Sequence, residues 1–91
     1  MRAEHILPDH VDRVDIDGVT VRKGTVAAFL MNARVLTDSG ATPAALTRAQ
    51  ADVADMLPAL RALGLFDVLE IRDAALRAWV DALIADRTPK Y

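Results

Sequence analysis

The sequence lacks cysteine, and it offers few of the other side chains that carry out catalysis. Without cysteine, the 91-residue chain cannot form disulfides, thiolate metal sites or cysteine nucleophiles. Serine occurs once, at Ser39, and the two histidines, His5 and His10, lie far from it in sequence. Since nucleophilic catalysis needs a nucleophile beside a base, we expect no enzyme activity and no cofactor.

The chain also lacks an excess of positive charge and long hydrophobic runs. Asp and Glu total 13 against 11 Lys and Arg, giving a net charge of −2. Nucleic-acid binding rests on basic residues that neutralise phosphates, so we expect no nucleic-acid partner. The longest apolar run, 26–31, is too short to span a membrane, and residues 1–10 do not resemble a signal peptide. We expect a soluble, cytoplasmic protein without a membrane partner. Its wealth of Ala and Arg suggests a bacterial source.

What the chain has in abundance is apolar side chains, which form 53% of the sequence. A small domain has much surface relative to its volume, so part of this apolar material should remain exposed unless a partner covers it. The composition therefore favours a protein that associates with itself or with another protein.

A β-hairpin is predicted at 12–22. Asp17-Gly18 is a favoured two-residue turn because both central positions of a type I′ turn need positive φ. This turn pairs Ile16 with Val19 and Val14 with Val21, which places all four apolar side chains on one face. An isolated hairpin is unstable in water, so that face should pack on other elements.

Three helices are predicted at 25–37, 43–63 and 74–86. Thr25 is the expected N-cap of the first, and Thr42-Pro43 is a cap and first-position pair for the second, with a competing start at Thr47. Pro58 should kink the second helix rather than break it, and Gly64 should end it.

Residues 67–72 fit two structures. Asp67 and Glu70 could form a capping box that opens a helix, whereas 68–71 could form a short third strand, with Asp73 capping the last helix. We favour the extended alternative. The overall prediction is a helix-dominated α+β fold, with a flexible arm at 1–11, one compact domain at 12–87 and a tail at 88–91.

Four residues are candidates for an interaction surface. Leu30 and Met31 fall on the side of the first helix that Arg34 marks as solvent-facing, and Trp79 is a large anchor that usually belongs to a core. Asn32 falls on the side otherwise meant for burial, so its amide needs a partner, in the hairpin or in the segment near Phe66.

The leading hypothesis is a non-enzymatic protein-interaction module acting as a homodimer or through another protein. One alternative is a small-molecule or anion-binding module that uses Asn32 or the helix start at 40–42. The other is an enzyme or accessory subunit with a metal site in the N-terminal arm. His5, Asp9, His10 and Asp12 are its potential ligands, although their spacing follows no helix face, so we predict no metal.

Overall fold

A computed structural model describes residues 12–87 of the chain. Its elements follow the predicted order, with a hairpin first and helices after it. The chain runs through β1 (Arg13–Ile16), β2 (Val19–Arg22), α1 (Thr25–Leu36), α2 (Pro43–Leu63), α3 (Leu65–Val68) and α4 (Ala74–Arg87). The fold is therefore the helix-dominated α+β fold that the sequence predicts. The predicted arm at 1–11 and tail at 88–91 lie outside the described residues.

The hairpin has the register that its turn chemistry dictates. Asp17 and Gly18 both have positive φ, and the antiparallel strands pair Ile16 with Val19 and Val14 with Val21. Val21 is buried against the helices, while the side chains of the opposite face are exposed. On that exposed face Thr20 Oγ1 donates a hydrogen bond to Asp15 Oδ1 at 3.0 Å. The apolar face thus holds β2 on α2.

The start of α1 differs from the prediction. Thr25 is the first helical residue and not the cap, because Gly24 occupies the cap position with φ of 86°. The Thr25 hydroxyl instead donates to the Arg22 carbonyl oxygen, which ties the helix back to the end of β2. A left-handed residue is needed to turn the chain sharply from strand into helix, and glycine adopts that conformation without steric cost.

Helix α2 begins at Pro43, and the competing start at Thr47 is not used. Thr42 Oγ1 accepts a hydrogen bond from Ala45 N at 3.1 Å, which satisfies one of the free amides of the first turn. The helix continues through Pro58, whose side is exposed, and ends at Gly64 with φ of 79°, as predicted.

The core lies between the three longer helices. Its buried members come from α1, α2 and α4, and they are Phe29, Val53, Leu57, Leu60, Leu76 and Val80. Phe66 of α3 packs its ring edge-on to Phe29, with centroids 5.8 Å apart. The core is thus formed by one side of each helix, and the opposite sides are left to solvent or to partners.

The third strand considered for 67–72 is absent, since the sheet of residues 12–87 has two strands. The segment begins instead as the helical turn α3, closed by a hydrogen bond from Leu69 N to Leu65 O, and then extends. The helical turn directs Phe66 to the core while Val68 and Leu69 stay exposed. An apolar run this short satisfies helix and strand patterns equally, and the contact between Phe66 and Phe29 favours the helical turn.

No helix among residues 12–87 is long and apolar enough to cross a membrane.

The start of α4 follows the prediction: Asp73 Oδ1 accepts a hydrogen bond from Leu76 N at 2.9 Å, the pattern of an N-cap.

Candidate functional site

The side of α1 that faces away from the core is apolar and exposed. Phe29, Ala33 and Leu36 of α1 pack into the core. Because successive helical residues are about 100° apart, Met31 lies nearly opposite that inner side. The residues that flank Met31 complete a surface that we name the α1 outer face, formed by Ala27, Leu30, Met31 and Arg34.

This face is well exposed to solvent. Met31 is 65% exposed and Leu30 is 56% exposed, and the small Ala27 beside them is also exposed. Arg34 is the one charged residue in the twelve residues of α1. The two candidates Leu30 and Met31 therefore lie together on an apolar surface, on the solvent side that the sequence indicated.

The side-chain amide of Asn32 does not form its hydrogen bond with the elements that the sequence suggested. Its side chain is half-buried, and Nδ2 donates to the Ala28 carbonyl oxygen of the preceding helical turn at 3.0 Å. Neither the hairpin nor the Phe66 segment provides its partner. An asparagine side chain can satisfy itself on the carbonyl four residues earlier, so the helix itself meets the need for a hydrogen bond.

Asn32 does line a shallow groove between α1, α2 and β2. The groove has a volume of about 370 Å³. Its charged and amide side chains are Arg22, Asn32, Asp52 and Asp55. Among residues 12–87, the two carboxylates make no ion pair within 4.0 Å. The charge of the lining is negative on balance, so the groove suits a neutral or cationic ligand better than an anion.

Trp79 lies on α4 at the edge of the core. Its side chain is half-buried and packs against the core cluster. It also borders a shallow depression of about 230 Å³ together with Leu36 and Gln50. The structure thus places Trp79 away from the α1 outer face and gives it mainly a packing role.

The helix start at 40–42 is occupied by its own capping groups. Thr42 Oγ1 already accepts from Ala45 N, and Asp38 Oδ1 accepts from Gly40 N at 2.9 Å. The Asp38 carboxylate therefore already occupies the Gly40 amide and would repel an anion near it. These contacts argue against anion binding at this helix start.

The metal-site hypothesis falls mostly on residues that the structure does not describe. His5, Asp9 and His10 lie outside residues 12–87, and Asp12 is exposed at the foot of the hairpin, where its carbonyl accepts from Lys23 N. Within residues 12–87, no group of three His, Cys, Asp or Glu side chains could hold a metal ion.

A second groove was not predicted from the sequence. It has a volume of about 780 Å³ and lies where the hairpin turn approaches the end of α2, α3 and α4. Its lining combines apolar and charged side chains: Asp17, Val19, Pro58, Arg61, Ala62, Phe66, Asp67 and Ile84, with Gly64. Sequence periodicity assigns a side of a helix but not the angle between helices, so a groove of this kind leaves no signal in the sequence.

Comparisons with protein-family models, with curated proteins and with solved structures found no match to the chain.

Proposed function

We propose that the chain is a non-enzymatic protein-interaction module whose contact surface is the α1 outer face. The observation that carries this proposal is the exposure of Leu30 and Met31, side by side on a helix with a single charged residue. Large exposed apolar side chains that cluster on one surface are typical of sites covered by a partner, whereas scattered ones are ordinary.

The composition of the face also favours a protein partner. Methionine is enriched at protein interfaces because its flexible, polarizable side chain adapts to the surface it meets. Arg34 on the same face is compatible with this role, since arginine is also enriched at protein interfaces. A protein that covered this face would bury the side chains of Leu30 and Met31 and would contact Arg34, which lies between them around the helix.

The direct test places a photoreactive amino acid at position 31 and, as a matched control, at position 78. Ala78 is an exposed residue of α4, whose outer side carries no large exposed apolar side chain among the described residues. The variants are expressed in the organism from which the chain comes and illuminated. We expect a protein adduct at position 31 and none above background at position 78. No adduct at position 31, or equal adducts at both positions, would contradict the proposal.

A double substitution, Leu30→Ser with Met31→Ser, tests whether the face acts through its apolar character. The fold should persist because neither side chain belongs to the core, and any association should be lost. The control is Ala78→Ser with Ala82→Ser, which introduces the same hydroxyls on the exposed side of α4. Circular dichroism checks the fold and light scattering measures association. Equal association in both double variants would count against the α1 outer face.

A second candidate function is small-molecule binding in the groove that Asn32 lines. The groove of about 370 Å³ is the observation that favours it. The test is the shift in melting temperature with a panel of small neutral and cationic compounds, repeated on Asn32→Leu. A ligand of this groove should raise the melting temperature of the wild type and not that of the variant. If no compound shifts the wild type, this candidate fails.

A further inference from the structure

The outer edge of β1 presents backbone groups that have no partner in the described part of the chain. Lys23 N donates to the Asp12 carbonyl oxygen at 2.7 Å, so these two residues form a hydrogen-bonded pair at the open end of the hairpin. Hydrogen-bonded and non-hydrogen-bonded pairs alternate along an antiparallel ladder. The N–H and C=O groups of Arg13 and Asp15 therefore point away from β2, and within residues 12–87 nothing bonds to them.

We propose that this edge pairs with a second copy of the chain, with the two β1 strands antiparallel about a two-fold axis at Val14. The four strands then form one sheet in the order β2-β1-β1-β2. The edge is available because β2 is the strand that packs closely on α2. This surface is distinct from the α1 outer face, so the inference does not rest on the proposed function.

The charges of β1 select the register of the pairing. Outward-pointing backbone groups must meet each other, so Arg13 and Asp15 pair with odd-numbered residues of the other copy. A register that placed Arg13 opposite Arg13, or Asp15 opposite Asp15, would set like charges against each other on the exposed face. An axis at Val14 instead places Arg13 of each copy opposite Asp15 of the other.

The exposed face can accommodate this ion pair. Asp15 accepts the hydrogen bond from Thr20 at Oδ1, which leaves Oδ2 for the arginine of the other copy. Charged side chains on an edge strand commonly prevent pairing. On β1 the two signs are placed so that one register with a second copy is attractive, and the strand is complementary in charge to itself.

The apolar face of the hairpin gains burial from the same pairing. Val21 of β2 is 4% exposed, whereas Val14 and Ile16 of β1 are half-buried. At the axis the two Val14 side chains form a non-hydrogen-bonded pair, in which the strands bring side chains closest together. The second copy therefore covers apolar surface that the helices of the first copy leave partly exposed.

The expected complex is weak, because β1 has four residues. Small interfaces belong to the transient class, so association should be sought at chain concentrations up to about 1 mM.

Proline at position 13 provides the first test, because it removes an N–H that points away from β2. Arg13→Pro should keep the hairpin and lose self-association up to about 1 mM. Arg13→Ala is the matched control, since it removes the same charge and retains the N–H, so its dissociation constant should rise only several-fold. Sedimentation equilibrium measures association, and circular dichroism verifies the fold. Self-association of Arg13→Pro as tight as that of Arg13→Ala would overturn the proposal.

Single cysteines test the register, since the chain has none of its own. In the proposed register the Cα atoms of position 13 in one copy and position 15 in the other lie about 5.5 Å apart, whereas like positions lie more than about 7 Å apart. Disulfides need the two Cα atoms within about 7 Å, so a mixture of Arg13→Cys and Asp15→Cys should cross-link about tenfold faster than either variant alone. Ala78→Cys on α4 gives the background. Faster cross-linking of either variant with itself would overturn the register, and background rates throughout would overturn the second copy.

Failure of this inference can be told apart from failure of the proposed function. If the wild-type chain is monomeric at about 1 mM, the pairing of β1 is wrong, and capture by a photoreactive residue at position 31 still tests the interaction module. If β1 pairs and position 31 captures nothing, this inference stands and the proposed function is wrong. Light scattering of the serine double variants is carried out in the Arg13→Pro background, so that it reports the α1 outer face alone.

Discussion

Helices α1 and α4 pack into the same core and differ on the sides that face away from it. The inner side of α1 provides Phe29, and that of α4 provides Leu76 and Val80. On the outer side of α4 the exposed residues are alanines and acids, among them Asp81 and Asp86. On the outer side of the shorter α1 the exposed residues include Leu30 and Met31, two of the four large apolar side chains that are more than half exposed in residues 12–87.

This difference shows that folding does not require the apolar character of the α1 outer face. Helix α4 joins the same core with an outer side that water solvates well, so α1 could do likewise with polar residues there. A cluster that is mostly exposed adds little burial to the folded monomer and raises the risk of nonspecific association. Its presence on one helix and absence from the other is therefore better explained by a contact that α1 makes and α4 does not.

The largest expected effect is the difference in stability between truncating a core side chain and truncating a side chain of the α1 outer face. Leu60 of α2 is fully buried, so Leu60→Ala should lower the free energy of unfolding by about 2–5 kcal/mol through lost contacts and the cavity left behind. Met31→Ala should change it by less than about 0.5 kcal/mol, because Met31 is mostly exposed. Urea denaturation at a concentration where the chain is monomeric measures both. If Met31→Ala lowers the free energy of unfolding as much as Leu60→Ala, the α1 outer face stabilises the fold.

The hairpin and the inner helix sides show how much the sequence could predict. The positive φ that Asp17-Gly18 favours and the alternation of Val14 and Ile16 lead to the same register, so two independent constraints specified the pairing. The side of α1 that holds Leu30 and Met31 followed from helical periodicity in the same way. Where the turn or capping residues and the apolar pattern predict the same structure, tertiary contacts are not needed to choose between alternatives.

The features that the sequence did not predict depend on neighbouring elements. Periodicity gives the side on which Asn32 lies but not the atom it binds, which is the Ala28 carbonyl oxygen of its own helix. The segment around Phe66 fits helix and strand patterns, and its packing on Phe29 decides between them. Both grooves arise from the angles between elements, which no local pattern encodes.

An intermediate effect concerns how the helices begin. Thr42→Ala and Asp73→Ala should each lower the free energy of unfolding by about 1 kcal/mol, since each removes the acceptor for an amide of the first turn of α2 or α4. Thr25→Ala should cost less, because the Thr25 hydroxyl donates to Arg22 O and caps no amide of α1. Thermal unfolding of the three variants tests this order. If Thr25→Ala lowers the free energy of unfolding as much as Asp73→Ala, then α1 depends on its first residue as strongly as α4 depends on its N-cap.

The smallest expected effect concerns the ion pair between Arg77 of α4 and Glu70, and its measurement tests whether this pair stabilises the fold. Arg77 Nη1 lies 3.4 Å from Glu70 Oε1, and Glu70 is largely exposed, so Glu70→Gln should change the free energy of unfolding by less than about 0.5 kcal/mol. That small difference should fall further in about 1 M salt, where exposed ion pairs are screened.

Arg77→Met is the informative comparison for this ion pair. The same guanidinium nitrogen also donates to the Ile71 carbonyl oxygen at 2.9 Å, in a partly buried position that joins α4 to the segment after α3. Arg77→Met should therefore cost more than Glu70→Gln, and most of its cost should persist at high salt. If Glu70→Gln proves as costly as Arg77→Met, an exposed charge beside α4 contributes to the stability of the fold. The contrast with α1 would then reflect what each helix needs to fold, and the apolar outer face of α1 would no longer by itself indicate a partner.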